Sequence, residues 1–225
     1  CISAELVRLV GLGNGGYSVA INSEKIMAYN NRIDIRKAVD GALLRYPDSA
    51  GTVFGFKLLY KIKTNKMNLP VYALKVAAKE KWPVFILGTT EEANKLASDN
   101  IRKLFPEIII VGRANGFLSD EEKIAKIKEC MPKLMLVGMG TPTQENFVRN
   151  LSKENLNIFS ICCGGALNVL AGKIKRAPVF FQNNKMEWLY LLCKEPSRWK
   201  RQRVLPIYMI KIILEAIMLN FSFRN

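Results

Sequence analysis

Pro83-Val84-Phe85-Ile86-Leu87-Gly88-Thr89-Thr90-Glu91-Glu92 is the stretch whose pattern decides the fold. The run from Val84 to Leu87 is apolar at every position, too short for a helix, and closed by a glycine, so it reads as a strand buried on both faces. Thr89 and Glu92 stand at capping-box spacing, which predicts a helix opening directly after the strand. The same grammar recurs along the chain. Ile108 to Gly112 leads to Ser119-Asp120-Glu121-Glu122, a second capping box with Ile124 and Ile127 on one helical face. Leu134 to Gly138 precedes a helix at 144–151, and Ile158 to Cys162 precedes Gly164-Gly165 and a helix ending near Gly172. Strands that alternate with helices and are apolar throughout predict an α/β fold, an open and mainly parallel sheet with helices on both faces. Ligands of such sheets bind at the carboxyl ends of strands. The loops of interest are therefore those after Asn22, Tyr46, Gly88, Gly112, Gly138 and Cys163.

The chain has 225 residues, 49% of them hydrophobic and 24% charged, enough for one sizeable domain with an appendage and too apolar for disorder. Its 34 basic and 19 acidic side chains give a net charge of +15, which selects an anionic partner without saying what carries the phosphate. There is no His. That excludes a Ser-His-Asp or Cys-His pair and a His-ligated zinc, so acid-base chemistry falls to carboxylates, Lys, Tyr or Cys. The five cysteines show no CxxC spacing and read as thiols of a reducing compartment. No leader is legible, and Cys1 in place of an initiator Met implies that the chain lacks its native start.

Each local motif has a plain reading beside a functional one. Gly11-Leu12-Gly13-Asn14-Gly15-Gly16 matches GxGxxG, but it neither follows a strand nor opens a helix, so it reads as a turn before a strand at 17–21. Arg45-Tyr46-Pro47-Asp48-Ser49-Ala50-Gly51 sets a carboxylate at a strand end, where an Asp after Pro is most often a turn former. The loop Gly138-Met139-Gly140-Thr141-Pro142 opens a helix whose free N–H groups are either capped or face a phosphate. Cys162-Cys163-Gly164-Gly165 is a similar loop, open to close approach of a ligand. From 173 to 211 there are ten basic and two acidic residues with Trp and Tyr interleaved, so residues 1–172 are expected to form the catalytic domain and 173–225 a basic helical appendage. Residues 206–221 are apolar but interrupted by Lys211 and Glu215, and fall short of the roughly 20 residues needed to span a bilayer. An interfacial or core helix is expected there.

Six strings, in order, carry a resemblance: VAINSEK (19–25), YPDSAG (46–51), PVFILG (83–88), GMGTPTQENF (138–147), CGGALNVLAGKIKRAP (163–178) and MEWLYLLCKEPSRWKRQ (186–202). Together they resemble the WecG/TagA/CpsF glycosyltransferase family, most closely its UDP-N-acetyl-D-mannosaminuronic acid transferase branch. The resemblance implies a Rossmann-like enzyme whose C-terminal appendage contacts the membrane. It also implies an inverting transfer of N-acetylmannosaminuronic acid from UDP to undecaprenyl-diphosphate-GlcNAc, without metal or cofactor, in surface polysaccharide synthesis. Asp48 is then the general base, with Asn22 and Gln144 as its catalytic companions. The donor falls to Gly138, Gly140, Glu145, Gly164 and Gly165, and the acceptor diphosphate to Arg198, Arg201 and Arg203.

The expected partners are thus a UDP-sugar, a polyprenyl-diphosphate-linked GlcNAc and an anionic membrane surface at the inner face of the bacterial cytoplasmic membrane, with self-association left open and no nucleic acid. The sequence departs from the family pattern at Ala20, Ser49, Asn115, Asn168 and 65–70. Two alternatives stay open for that reason: an N-acetylmannosamine or other hexose donor, and a catalytically weakened scaffold.

Overall fold

In the computed structural model, which describes residues 2–174, 178, 180–181, 187–194, 196 and 199–222, the apolar runs are strands and the segments between them helices. In chain order they are α1 (Ile2–Leu12), β1 (Gly16–Ile21), α2 (Ser23–Tyr29), α3 (Ile33–Asp40), β2 (Leu44–Pro47), α4 (Ala50–Tyr60), α5 (Leu69–Lys79), β3 (Pro83–Gly88), α6 (Glu91–Leu104), β4 (Ile109–Ala114), α7 (Asp120–Cys130), β5 (Leu134–Gly138), α8 (Thr143–Leu151), β6 (Phe159–Cys162) and α9 (Ala166–Leu170). Among the described residues that follow, Glu187–Lys194, Trp199–Gln202 and Val204–Ser222 are helical.

The six strands form one sheet in the order β2-β1-β6-β5-β3-β4. The pairings β1–β6, β6–β5, β5–β3 and β3–β4 are parallel. The bonds Leu43 N–H to Tyr17 O and Asp48 N–H to Ile21 O advance in one direction, so β2 is parallel as well. Val84, Phe85, Ile86 and Leu87 are all inaccessible, and because successive side chains point to opposite faces, the sheet is covered on both. The fold is the expected α/β, Rossmann-like one.

The chain falls into two compact units. The sheet unit comprises Cys1–Ala20, Lys37–Tyr46 and Asn68–Lys175; the second unit comprises Ile21–Arg36, Pro47–Met67 and Arg176–Asn225. Within the sheet unit, Ala93 and Ala97 of α6 pack on Ala171, small residues that let α6 and α9 approach closely. Within the second unit, α2 and α4 pack on Val204–Ser222. Gly51 and Gly55, one turn apart on α4, face that helix: a Cβ at Gly55 would lie 2.8 Å from Ile212 Cδ1 and 2.9 Å from the Tyr208 hydroxyl. Tyr208 donates to Gly51 O at 3.2 Å, and Tyr208, Ile212 and Ala216 form the buried stripe of the helix.

Several local expectations shift by a residue or two. Ser119 and Glu122 form the capping box, but Thr90, not Thr89, caps α6, accepting from Ala93 N–H. Gly88 and Thr89 both have positive φ, 122° and 55°, so the chain turns sharply and the helix begins one residue later than the spacing predicts. The fourth strand starts at Ile109 and runs to Ala114 across a register shift on β3. Of the glycine-rich stretch, only Gly13, Asn14 and Gly15 make the expected turn; Gly11 and Leu12 close α1, whose buried Leu6, Leu9 and Val10 carry a helical period, and Gly16 opens β1. The four described cysteines are in no disulfide. Pro196 follows the helix Glu187–Lys194, as its missing N–H and ring predict.

Candidate active site

In the sheet unit, β3 leads to β4 on one side and β5 to β6 on the other, so the carboxyl ends of β3 and β5 flank a topological switch point. Thr89 holds the loops there together. Its N–H donates to Gly138 O at 3.0 Å, its carbonyl accepts from Gly116 N–H at 2.8 Å, and its hydroxyl donates to Asn168 Oδ1 at 2.6 Å. A β-branched residue in the left-handed region is rare and strained, so these three bonds must hold it there. Asn94 of α6, fully buried, fixes the strand ends from beneath: its Nδ2 lies 3.2, 3.0 and 2.9 Å from the carbonyl oxygens of Ile86, Gly88 and Ala114. Asn94 does not stand out in the sequence, and Thr89 stands out there only as a helix cap, the role that Thr90 takes. The signal for Thr89 was the doubled threonine, since one cap needs only one hydroxyl.

The loops after β5 and β6 are clamped by Gln144. Its Oε1 accepts from Gly164 N–H at 3.0 Å, and its Nε2 donates to Glu145 Oε1 at 3.1 Å. The Thr141 hydroxyl donates to the same carboxylate oxygen at 2.9 Å, and the Thr141–Pro142 peptide that follows is cis. Gln144 and Glu145 are both buried, so their polar atoms act inside the protein, and the carboxylate already sits in the first turn of α8. Gly138 serves close packing, since a Cβ there would lie 2.8 Å from Gly164 O and 2.6 Å from a Leu167 methyl. Around Gly140, Gly164 and Gly165 a Cβ would meet nothing within 4 Å, so their backbone borders open space.

Gln144→Leu keeps the volume but strands the Gly164 N–H and removes the donor to Glu145. Taking these partners from the part-buried Gly164 N–H and the buried Glu145 carboxylate costs about 1–3 kcal/mol, or roughly 2–10 °C in melting temperature for a chain of this size. Thermal unfolding followed by circular dichroism measures it; an unchanged midpoint would mean that the clamp contributes nothing.

In the second unit, Asn22 directly follows β1 and caps α2, its Oδ1 accepting from Lys25 N–H at 2.9 Å. Asp48 directly follows β2 and is half-buried, with its backbone N–H pinned to Ile21 O at 3.0 Å. Ser49 caps α4 through Thr52 N–H, and the Thr52 hydroxyl donates to Ile21 O at 3.1 Å, so the strand ends that carry Asn22 and Asp48 are tied at Ile21. Arg203 is exposed and follows the helix Trp199–Gln202. Arg198 lies outside the described residues, and so does the side chain of Arg201.

Two of the other groups that could move a proton are unsuited to it. Burial pushes the Tyr17 phenol up to about 12, and its hydroxyl donates to Ala38 O at 2.8 Å. Burial likewise raises the Cys130 thiol above its ordinary range.

The comparisons with known proteins agree with the motif strings. A family model described as the glycosyl transferase WecG/TagA/CpsF family matches residues 2–221. The N-acetylglucosaminyldiphosphoundecaprenol N-acetyl-beta-D-mannosaminyltransferase of Bacillus spizizenii is 30% identical over 171 residues, which cover 74% of this chain and 66% of that protein.

Proposed function

Because this chain belongs to the WecG/TagA/CpsF family of glycosyl transferases, we propose that it is an inverting hexosyltransferase acting on undecaprenyl-diphosphate-GlcNAc, with UDP-N-acetylmannosaminuronic acid as donor. The observation that carries the reading is a half-buried carboxylate, Asp48, at the carboxyl end of a parallel strand in a chain without His. Asp48 takes the proton of the acceptor hydroxyl, the freed oxygen bonds to the anomeric carbon, and the bond to UDP on the opposite face breaks, its electron pair leaving with the diphosphate. Asn22 contributes through its Nδ2, since its Oδ1 is occupied by the helix cap. The backbone at Gly140, Gly164 and Gly165 faces the donor, and Gln144 and Glu145 hold that backbone in place. Preorganised N–H groups and cations stabilise the leaving charge. A second reading, UDP-N-acetylmannosamine as donor, is favoured by the name of the Bacillus relative. Incubation of the protein with undecaprenyl-diphosphate-GlcNAc and a panel of UDP-sugars tests both. Transfer of neither sugar would refute them.

The acceptor is lipid-linked, so the proposed location is peripheral, at the inner face of the cytoplasmic membrane, with 173–225 as the contact. No helix among the described residues is long and apolar enough to cross a membrane. Supporting the proposal, Val204–Ser222 keeps Ile207, Ile210, Ile213, Leu214, Ile217 and Met218 exposed, while among its described side chains Tyr208, Ile212 and Ala216 are buried. Arg198, Arg201 and Arg203 are proposed to hold the acceptor diphosphate. A lost charge-assisted contact is worth about 1.5–3 kcal/mol, so Arg203→Ala is expected to raise the acceptor KM by roughly ten- to a hundred-fold while the donor KM barely moves. Steady-state kinetics with both substrates varied decides; a change confined to the donor would reassign the residue.

A further inference from the structure

The second unit carries a second exposed apolar surface, outside the C-terminal segment. Phe54 and Leu58 lie one turn apart on α4 and are 40% and 37% exposed; Tyr60 at its last position and Ile62 just beyond are 61% and 52% exposed. Gly51 and Gly55, on the same stripe of the helix, meet Tyr208 and Ile212 of Val204–Ser222, so Phe54 and Leu58 stand at the border of that contact and keep part of their surface outside it. Exposed large side chains scattered singly need no explanation, but Leu58 and Tyr60, on different faces of the last turn, and Ile62 at the exit together surround the end of one helix, with Phe54 one turn before them.

Charge says what covers it. Lys57, Lys61, Lys63 and Lys66 are exposed among these residues, and no acidic residue stands between Asp48 and Glu80. Long basic stems beside apolar side chains are suited to a surface that offers anionic headgroups above hydrocarbon, where the ammonium stays in the headgroup layer and the aromatic and aliphatic groups go below it. A second copy of this chain, itself strongly basic, would bring like charges together.

We infer that the carboxyl half of α4 and residues 61–66 dock on the anionic lipid surface, as a membrane-binding element separate in sequence from the C-terminal segment. This rests on the membrane-docked reading above and extends it. Its consequence is mechanical. α4 begins two residues after Asp48, so a single helix of this unit carries the proposed base before its first turn and lipid-facing side chains at its end.

The test is the full chain bearing Leu58→Asn, Tyr60→Ser and Ile62→Asn, co-sedimented with vesicles of phosphatidylglycerol and phosphatidylcholine in equal parts and with pure phosphatidylcholine vesicles. The wild type is expected to bind the anionic vesicles preferentially. The triple variant is expected to lose about tenfold or more in partition, since three apolar groups no longer leave water. Its thermal unfolding and its turnover on a water-soluble, short-chain acceptor should be unchanged. Equal vesicle binding by variant and wild type overturns this inference alone, as does a shift from dimer to monomer with vesicle binding intact, which would make a second copy the occupant. A wild type that binds no vesicles overturns the membrane-docked reading itself.

Discussion

Asp48→Asn is expected to lower turnover by about 10²-fold or more with the donor KM nearly unchanged, because general-base catalysis contributes about 10²–10⁴ and the amide cannot take a proton. The substitution is close to isosteric, and the surrounding backbone is fixed independently of the side chain. The Asp48 N–H is bonded to Ile21 O, and Ser49 caps α4 through its own hydroxyl. A fall in activity would therefore report chemistry and not a displaced loop. Initial rates with donor and acceptor each varied give the two constants. No loss of turnover, or an equal loss of donor affinity, would remove Asp48 from the role of base.

Gly88→Ala is expected to be the most destabilising of the substitutions considered. At φ 122° an L side chain is strained, and a Cβ would lie 2.5 Å from the carbonyl carbon of Gly138 and 2.8 Å from its nitrogen. Gly88 and Gly138 are register partners on the adjacent interior strands β3 and β5, so the obstacle is backbone that cannot swing aside. Relief would break the bond from Thr89 N–H to Gly138 O and with it the junction of three loops. Backbone strain and overpacking together put the cost at about 3 kcal/mol or more, a fall of roughly 10 °C in melting temperature. Gly165→Ala is the control: it meets open space and should stay within about 0.5 kcal/mol of the wild type. A Gly88→Ala midpoint equal to that of the control would contradict the packing at this crossing.

The elements that were legible share one property, that their signal lies within a few residues. Pro83–Gly88 and Leu134–Gly138 are strands where the apolar runs placed them, Ser119 and Glu122 form their box, and Pro196 follows the end of a helix. The strand Ile109–Ala114 was offset because an edge strand is half-exposed and its apolar run is not bounded by burial. Among the site residues, the sequence located the loops that carry Asn22, Asp48, Gln144 and Gly164, since a strand-end turn has a local signature. It could not assign Gln144 and Glu145 their bonds: an amide and a carboxylate at the start of a helix look alike whether they face a ligand or each other.

By itself, then, the sequence determined the alternating α/β order, the buried character of the central strands, the exclusion of His chemistry and the family to which the strings belong. Each follows from composition, from periods of two to four residues, or from short strings. Tertiary structure alone decided that Thr89 joins Gly116, Gly138 and Asn168, that Asn94 ties β3 to β4, and that Ile21–Arg36, Pro47–Met67 and Arg176–Asn225 form one unit. It also decided which stripe of Val204–Ser222 packs on α4 and which stays outside. Lys211 and Glu215 mark only one strip of an otherwise apolar helix, too little to single out its buried side, and Tyr208 meets Gly51 across 157 residues of chain. Such contacts are selected by how faces fit once the elements exist, so no local window contains them.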